Sequence, residues 1–133
     1  MNKIMKSWTV EEIFLNEDQG EALVKAEEPL SYIKQLKAGE QILVDSDAKA
    51  FVYILEDNEG YVHIRFPLAV WSELEVMKTN GLPMFVVFSH KEENIIIQLN
   101  NFLEELNTLL ENIKDNSNYG KDFVLSVENA FHL

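Results

Sequence analysis

Residues 43–66 read LVDSDAKAFVYILEDNEGYVHIRF, and their pattern is the clearest indication of the fold. Apolar residues alternate in it over residues 50–56 and again over residues 61–66. Between these runs stands DNEG, residues 57–60, whose residue types favour turns. Alternation with a period of two indicates β-strands, and two such runs around a short turn indicate a hairpin. The stretch therefore predicts an antiparallel β-hairpin.

The register of this hairpin follows if Glu56 lies opposite Tyr61 across the turn. One face then gathers large apolar side chains, which we expect in the core: Phe51, Tyr53, Leu55, Val62, Ile64 and Phe66. The opposite face mixes apolar and polar side chains: Val52, Ile54, Glu56, Tyr61, His63 and Arg65. Water or a second layer of structure could cover that mixed face.

The rest of the chain divides into further short strands and a few helices. Strand patterns occur at residues 8–15, 21–26, 41–44, 84–88 and 95–99. Helical spacing predicts helices at residues 67–79 and 101–115, the second with Asn100 as its N-cap. Residues 29–36 fit a short helix or an irregular segment. Residues 121–131 fit a helix or a strand, and we favour the helix.

These elements predict one α+β domain over residues 1–133, in which residues 1–7 are candidates for disorder. We expect a single antiparallel sheet of about six or seven strands, with two or three helices packed on one face. No linker, repeat or low-complexity tract interrupts the chain.

The charge balance limits the classes of partner. Twenty-three Asp and Glu residues face eleven Lys and Arg residues, which gives a net charge of −12, and Arg65 is the only arginine. Nucleic-acid binding relies on Lys and Arg that neutralise phosphates, so we expect no nucleic-acid partner. The same argument disfavours an anionic membrane surface. An acidic protein that mimics nucleic acid and a merely well-solvated surface both fit this composition.

Residue usage also indicates the compartment and excludes several chemistries. The chain has no cysteine, which rules out thiol nucleophiles, disulfides and cysteine-based metal sites, and which suits a reducing compartment. Polar residues follow the first lysines closely, and every apolar run is far shorter than the roughly 20 residues of a membrane helix. We therefore expect a cytoplasmic protein with no signal peptide and no membrane contact.

Four polar residues of the opening stretch are candidates for a site. Asp45 and Asp47 could hold a divalent cation, or they could simply end the strand in a turn. His63 could act as a base if Glu56 or a distant acid oriented it. Arg65 could bind a carboxylate or a ligand anion, or form an ion pair across the strands.

A second candidate region lies near the C-terminal segment. Asn118-Tyr119-Gly120-Lys121 reads as a turn, which could present Tyr119 and Lys121 as a recognition surface. No histidine stands in metal-ligand spacing, and no serine lies in a Gly-x-Ser-x-Gly elbow. The chain has no glycine-rich phosphate loop either, so we assign no catalytic residue and no cofactor.

Five motifs resemble a known family in their order and spacing. They are Leu43-Val44-Asp45-Ser46-Asp47, Ala50-Phe51-x-Tyr53, Trp71, Asn112-Ile113-Lys114-x-Asn116 and Asn118-Tyr119-Gly120-Lys121-x-Phe123. Together they resemble the YjbL-like group of uncharacterised proteins from Bacillus, Staphylococcus and their relatives. The resemblance covers roughly residue 20 to the end of the chain. It implies a cytoplasmic protein of Gram-positive bacteria and supplies no activity, cofactor or site residue.

Two functional hypotheses remain open. The first is a non-enzymatic interaction module that binds another protein or itself, with a candidate surface of Asp45, Asp47, His63, Arg65, Tyr119 and Lys121. An exposed apolar patch around Val52 and Ile54 would mark such an interface. The second is a small enzyme, ligand binder or metal binder in which at least two of Asp45, Asp47, His63 and Arg65 converge in a pocket.

Overall fold

The structure is a computed structural model and describes residues 6–91 and 93–133. Its strands are β1 Ser7–Thr9, β2 Glu12–Leu15, β3 Gly20–Lys25, β4 Lys37–Asp45, β5 Ala50–Glu56, β6 Tyr61–Pro67, β7 Met84–Ser89 and β8 Asn94–Gln98. Its helices are α1 Leu30–Lys34, α2 Trp71–Asn80, α3 Phe102–Ile113 and α4 Lys121–Phe131. Two short 3₁₀ turns, Leu68–Val70 and Ser117–Tyr119, precede α2 and α4. The predicted α+β class is confirmed.

The strands form two sheets rather than the single antiparallel sheet that we predicted. The first sheet has the order β1-β6-β5-β4, and the second has the order β2-β3-β7-β8. Both are mixed, because β1 runs parallel to β6 and β3 runs parallel to β7 while the other neighbours are antiparallel. Within the described residues there are thus eight strands and four helices, slightly more of each than expected.

The division arises at a point inside the strand predicted for residues 8–15. The amide of Val10 donates to the carbonyl of Arg65 in the first sheet, at 2.9 Å. The amide of the next residue, Glu11, donates to the carbonyl of Leu23 in the second sheet, at 3.0 Å. The chain therefore changes sheets between two adjacent residues. Side-chain alternation carries no information about the identity of the hydrogen-bonded neighbour, so this change leaves no sequence signal.

The hairpin predicted from residues 43–66 is confirmed in position and register. Glu56 pairs with Tyr61 and Phe51 pairs with Phe66 across β5 and β6. The face expected in the core is fully buried: Phe51, Tyr53, Leu55, Val62, Ile64 and Phe66. We call this side of the first sheet its core face.

The helices cover this core face through a cluster of aromatic rings. Phe51 lies 5.1 Å from the ring of Trp71 on α2, and 6.4 and 6.0 Å from Phe123 and Phe131 on α4. The Trp71 indole N–H donates to the carbonyl of Phe66 at 3.0 Å. The helix favoured for residues 121–131 is confirmed, because its buried side chains recur at helical spacing and meet this cluster.

The start of α3 differs from the prediction. Asn101, not Asn100, takes the N-cap position, with φ of 62° and no capping bond from its side chain. Its side-chain amide donates instead to Glu40 Oε1, at 2.7 Å. Asn100 is held by its carbonyl, which accepts the Tyr53 hydroxyl at 2.7 Å. A contact with a distant strand therefore outweighs the local capping preference of asparagine.

The structure describes only part of the N-terminal segment that was a candidate for disorder. Residues 1–5, which contain most of the segment predicted to be disordered, lie outside the described residues. Ser7 belongs to β1 and pairs with His63.

Among the described helices, none has both the length and the apolar composition needed to cross a membrane.

Candidate functional site

The side of the first sheet opposite its core face, which we call the solvent face, has an ion pair that crosses strand β5. Arg65 on β6 donates from Nη2 to Oδ2 of Asp45 on β4, at 2.6 Å. Strand β5 lies between them, and Val52 of β5 is the direct partner of Arg65. The Arg65 side chain must therefore lie over β5, across about 10 Å. Val52 is only 3% exposed beneath it.

The Asp45 carboxylate is engaged through both oxygens. Oδ2 receives the arginine, and Oδ1 accepts the amide of Ala48 in the following turn, at 3.2 Å. The hydrogen bond from Arg65 is the main cause that holds the pKa of Asp45 below its ordinary value. No group of three or more His, Asp or Glu side chains in the described parts of the chain is arranged to hold a metal ion. Asp45 thus serves the ion pair and the turn, and Asp47 lies in that turn.

His63 lies on the same solvent face, two residues before Arg65. Its direct neighbours across the strands are Ile54 and Ser7. Burial lowers the pKa of His63, and the positive charge of Arg65 lowers it further. The imidazole is therefore neutral at neutral pH. Glu56, the acid considered as its partner, pairs with Tyr61 at the end of the hairpin.

Tyr119 and Lys121 lie at the start of α4. The Tyr119 ring packs against Phe123 at 6.2 Å and is partly buried against the core. Lys121 is exposed. An ion pair of 3.0 Å between Lys49 and Asp122 ties the β4–β5 turn, which contains Asp47, to this helix.

The structure brings Asp45, His63 and Arg65 onto one sheet face. Tyr119 and Lys121 belong to the segment that leads into α4, and the Lys49–Asp122 pair links that segment to the turn after Asp45. The apolar patch considered around Val52 and Ile54 is not exposed, because these side chains are 3% and 4% accessible.

Two clefts among the described residues do not include the four polar candidates. One cleft of about 360 Å³ lies beside Tyr61 and the β5–β6 turn. Another, of about 650 Å³, lies between Ala26 and His90. Asp45, Asp47, His63 and Arg65 contribute to neither lining.

A partly exposed apolar surface occurs instead on the second sheet. We call it the apolar face: Phe14 and Ile96 are exposed, Leu23 and Phe85 are half-buried, and Val87 in its centre is buried at 8% exposure. Leu23, Val87 and Ile96 form one row across β3, β7 and β8. Phe14 and Phe85 flank Glu21 in the next row. Phe14 is 55% exposed and Ile96 is 57% exposed, at opposite edges of the sheet.

Sequence reasoning missed this face, although a signal for it was present. Residues 84–88 and 95–97 are uninterrupted apolar runs, so both sides of these strands are apolar. Such runs are typical of strands that are covered on both faces. The side toward the core follows the pairing of β7 with β3 and β8. Val86 and Phe88 pack in the core, whereas Phe85 and Val87 lie on the opposite side, where Phe85 is half-buried and Val87 is buried.

Acidic side chains lie among these apolar ones. Glu12 is the direct neighbour of Leu23, and Glu21 lies between Phe14 and Phe85. The Glu21 carboxylate accepts the side-chain amide of Gln19 at 2.8 Å. Lys25, a basic residue on this side of β3, is paired with Glu11 at 3.8 Å. The apolar face therefore has an acidic character.

Comparison with known proteins places the chain in a family. A protein-family model described as a family of unknown function, UPF0738, matches residues 8–131. A UPF0738 protein of Halalkalibacterium halodurans is 39% identical over 127 residues, which is 96% of this chain and 98% of the relative. One from Shouchella clausii is 37% identical over 127 residues, which is 96% of this chain and the whole of the relative.

A third relative, from Geobacillus thermodenitrificans, is 42% identical over 90 residues, or 68% of this chain and 69% of its own length. No solved structure matches the chain. The match to the family model spans both sheets and all four described helices. The chain therefore belongs to UPF0738, a family of unknown function.

Proposed function

We propose that this protein is a non-enzymatic interaction module that binds another protein through the apolar face of its second sheet. The observation that carries the proposal is the exposure of Phe14 and Ile96, each more than half accessible on a continuous sheet surface. Full burial of such a side chain stabilises a complex by about 1.5–3 kcal/mol. Soluble monomers rarely expose contiguous apolar patches unless the patch has a function.

The pairing of the strands supports the same surface. Strands β3 and β7 are parallel and central in the second sheet. Parallel strands are usually covered on both faces, because the crossover connections between them place helices there. One side of this pair, with Val86 and Phe88, is buried in the core. A partner on the apolar face would supply the second cover.

We propose a second, polar contact region on the solvent face of the first sheet, where part of the surface expected from the sequence lies. Asp45, His63 and Arg65 share the solvent face of the first sheet, where Arg65 already satisfies Asp45. The net charge of −12 and the absence of cysteine support a cytoplasmic location without nucleic-acid or membrane binding. We also propose that the chain belongs to the narrower YjbL-like group, which extends to Staphylococcus.

A site-specific photo-crosslinker tests the apolar face directly. Benzoylphenylalanine replaces Phe14 or Ile96 in a Bacillus host, and irradiated cells are examined for adducts by mass spectrometry. Leu125 on α4, which is 48% exposed, is the matched control position. We expect one reproducible adduct at positions 14 and 96 and none at 125. Equal labelling at all three positions, or none at 14 and 96, would contradict the proposal.

A further inference from the structure

We infer that the partner covers the apolar face with a basic amphipathic helix, whose apolar side chains meet Phe14, Leu23 and Ile96 and whose Lys or Arg side chains meet Glu12 and Glu21. This inference rests on the proposed function and specifies the chemistry of the partner. It follows from the charges on the face, from its shape, and from the comparison with a second copy of this chain.

The positions of the two carboxylates favour a partner with positive charge. Glu12 lies beside Leu23, and Glu21 lies between Phe14 and Phe85, so a group that covers these apolar side chains also excludes water from the acids. Burial of an unpaired carboxylate costs several kcal/mol. Lys and Arg avoid this cost, because their aliphatic stems cover apolar surface while their charged ends reach a carboxylate.

A second copy of this chain would fit this surface poorly. Each copy would bring Glu12 and Glu21 into one interface, where four carboxylates would face each other. Lys25 on the same side is already paired with Glu11. Each chain also carries a net charge of −12, so like charges oppose association over the whole surface. A basic partner converts the same charges into attraction.

The shape of the surface suits a helix. Four strands at their usual spacing make the apolar face about 14 Å wide, and a helix with its side chains is about 10–12 Å across. A helix laid on a sheet is also the common way in which a mixed sheet is covered. On the core side of this protein, its own helices already use that arrangement.

Binding of a synthetic probe tests the inference. The probe is a fluorescein-labelled 18-residue amphipathic helix of leucine and lysine, titrated with the full chain and followed by fluorescence anisotropy. A helix of leucine and glutamate with the same pattern is the peptide control. We expect submillimolar binding of the basic helix, weakened by added salt, and no binding of the acidic helix.

Paired variants separate the apolar and the charged contributions. Phe14→Thr with Ile96→Thr keeps strand-forming side chains and should weaken binding at least tenfold. Glu12→Gln with Glu21→Gln should weaken it at least threefold. The control pair Glu56→Gln with Glu111→Gln removes the same charge from exposed positions on β5 and α3, and it should change binding less than twofold. Circular dichroism verifies that each variant is folded.

Four results would overturn the inference, a part of it, or the proposed function. Equal weakening by the two glutamate pairs would show non-specific attraction and overturn the inference. Weakening by the Phe14 and Ile96 pair without any effect of Glu12 and Glu21 would overturn the basic partner while the interaction surface stands. A dimer of the unmodified chain in sedimentation, abolished by Ile96→Thr, would replace the basic helix by a second copy. Absence of adducts at positions 14 and 96 in cells would remove the proposed function itself.

Discussion

Arg65 and Asp45 form an ion pair of 2.6 Å across a strand to which neither belongs. The pair joins β6 to β4 and lies over Val52 of β5, which is buried although it is on the solvent face. The only arginine of the chain thus covers Val52 on the sheet face where the sequence suggested an interface. The open apolar surface lies on the other sheet.

This ion pair makes a measurable contribution to stability. We expect Arg65→Met and Asp45→Asn each to lower the free energy of unfolding, and their double-mutant cycle to give a coupling energy of about 0.5–1 kcal/mol. The value is modest because both side chains remain partly exposed to screening solvent. Urea denaturation of the four proteins at pH 7 measures it. A coupling energy indistinguishable from zero would contradict the role of the pair.

Mild acid should reduce stability through His63. The pKa of His63 is lowered in the folded protein, first by burial and then by Arg65, so the unfolded chain binds a proton at higher pH. The stabilisation is complete above the unfolded pKa of about 6.5 and declines as the pH falls toward the folded pKa. Urea midpoints at pH 7.5 and pH 5 should therefore differ more for the unmodified chain than for His63→Gln. An equal difference in both proteins would contradict this assignment.

Gly39 should resist substitution because its strand passes close to the backbone of β5. A Cβ at this position would lie 2.7 Å from the carbonyl oxygen of Ile54, at an irregularity in the pairing of β4 with β5. Gly39→Ala should lower the free energy of unfolding by about 1–3 kcal/mol. Gly20→Ala is the matched control, because the atom it meets first is the flexible Met77 side chain. A smaller loss at Gly39 than at Gly20, in thermal denaturation, would contradict this reading.

Trp71 should be among the most sensitive core positions. Its ring contacts Phe51, Phe123 and Phe131, and its N–H satisfies the carbonyl of Phe66. Trp71→Phe keeps an aromatic ring but leaves a cavity and removes the hydrogen bond to Phe66, so we expect a loss of about 2–4 kcal/mol. Chemical denaturation measures the loss. A value below about 1 kcal/mol would show that the core closes around the smaller ring.

Local patterns were enough for most of the elements. The hairpin register followed from alternation and a four-residue turn. A one-residue slip would separate the six large side chains onto two faces, and the turn length selects among the alignments that keep them together. Residues 121–131 fit a strand as well as a helix, because Phe123, Leu125 and Val127 also alternate. Contact of Phe123 and Phe131 with Phe51 and Trp71 selects the helix.

Sequence alone was sufficient for the α+β class, the hairpin, the excess of acidic residues and membership of a group of uncharacterised proteins. Tertiary structure decided how the strands are divided between two sheets, which carboxylate Arg65 binds, and which apolar side chains remain exposed. The reason is that side-chain periodicity reports only which face of a strand is apolar. Partner strands are chosen by long-range backbone hydrogen bonds such as those of Val10 and Glu11, and strands β7 and β8, apolar on both faces, take their orientation from that choice.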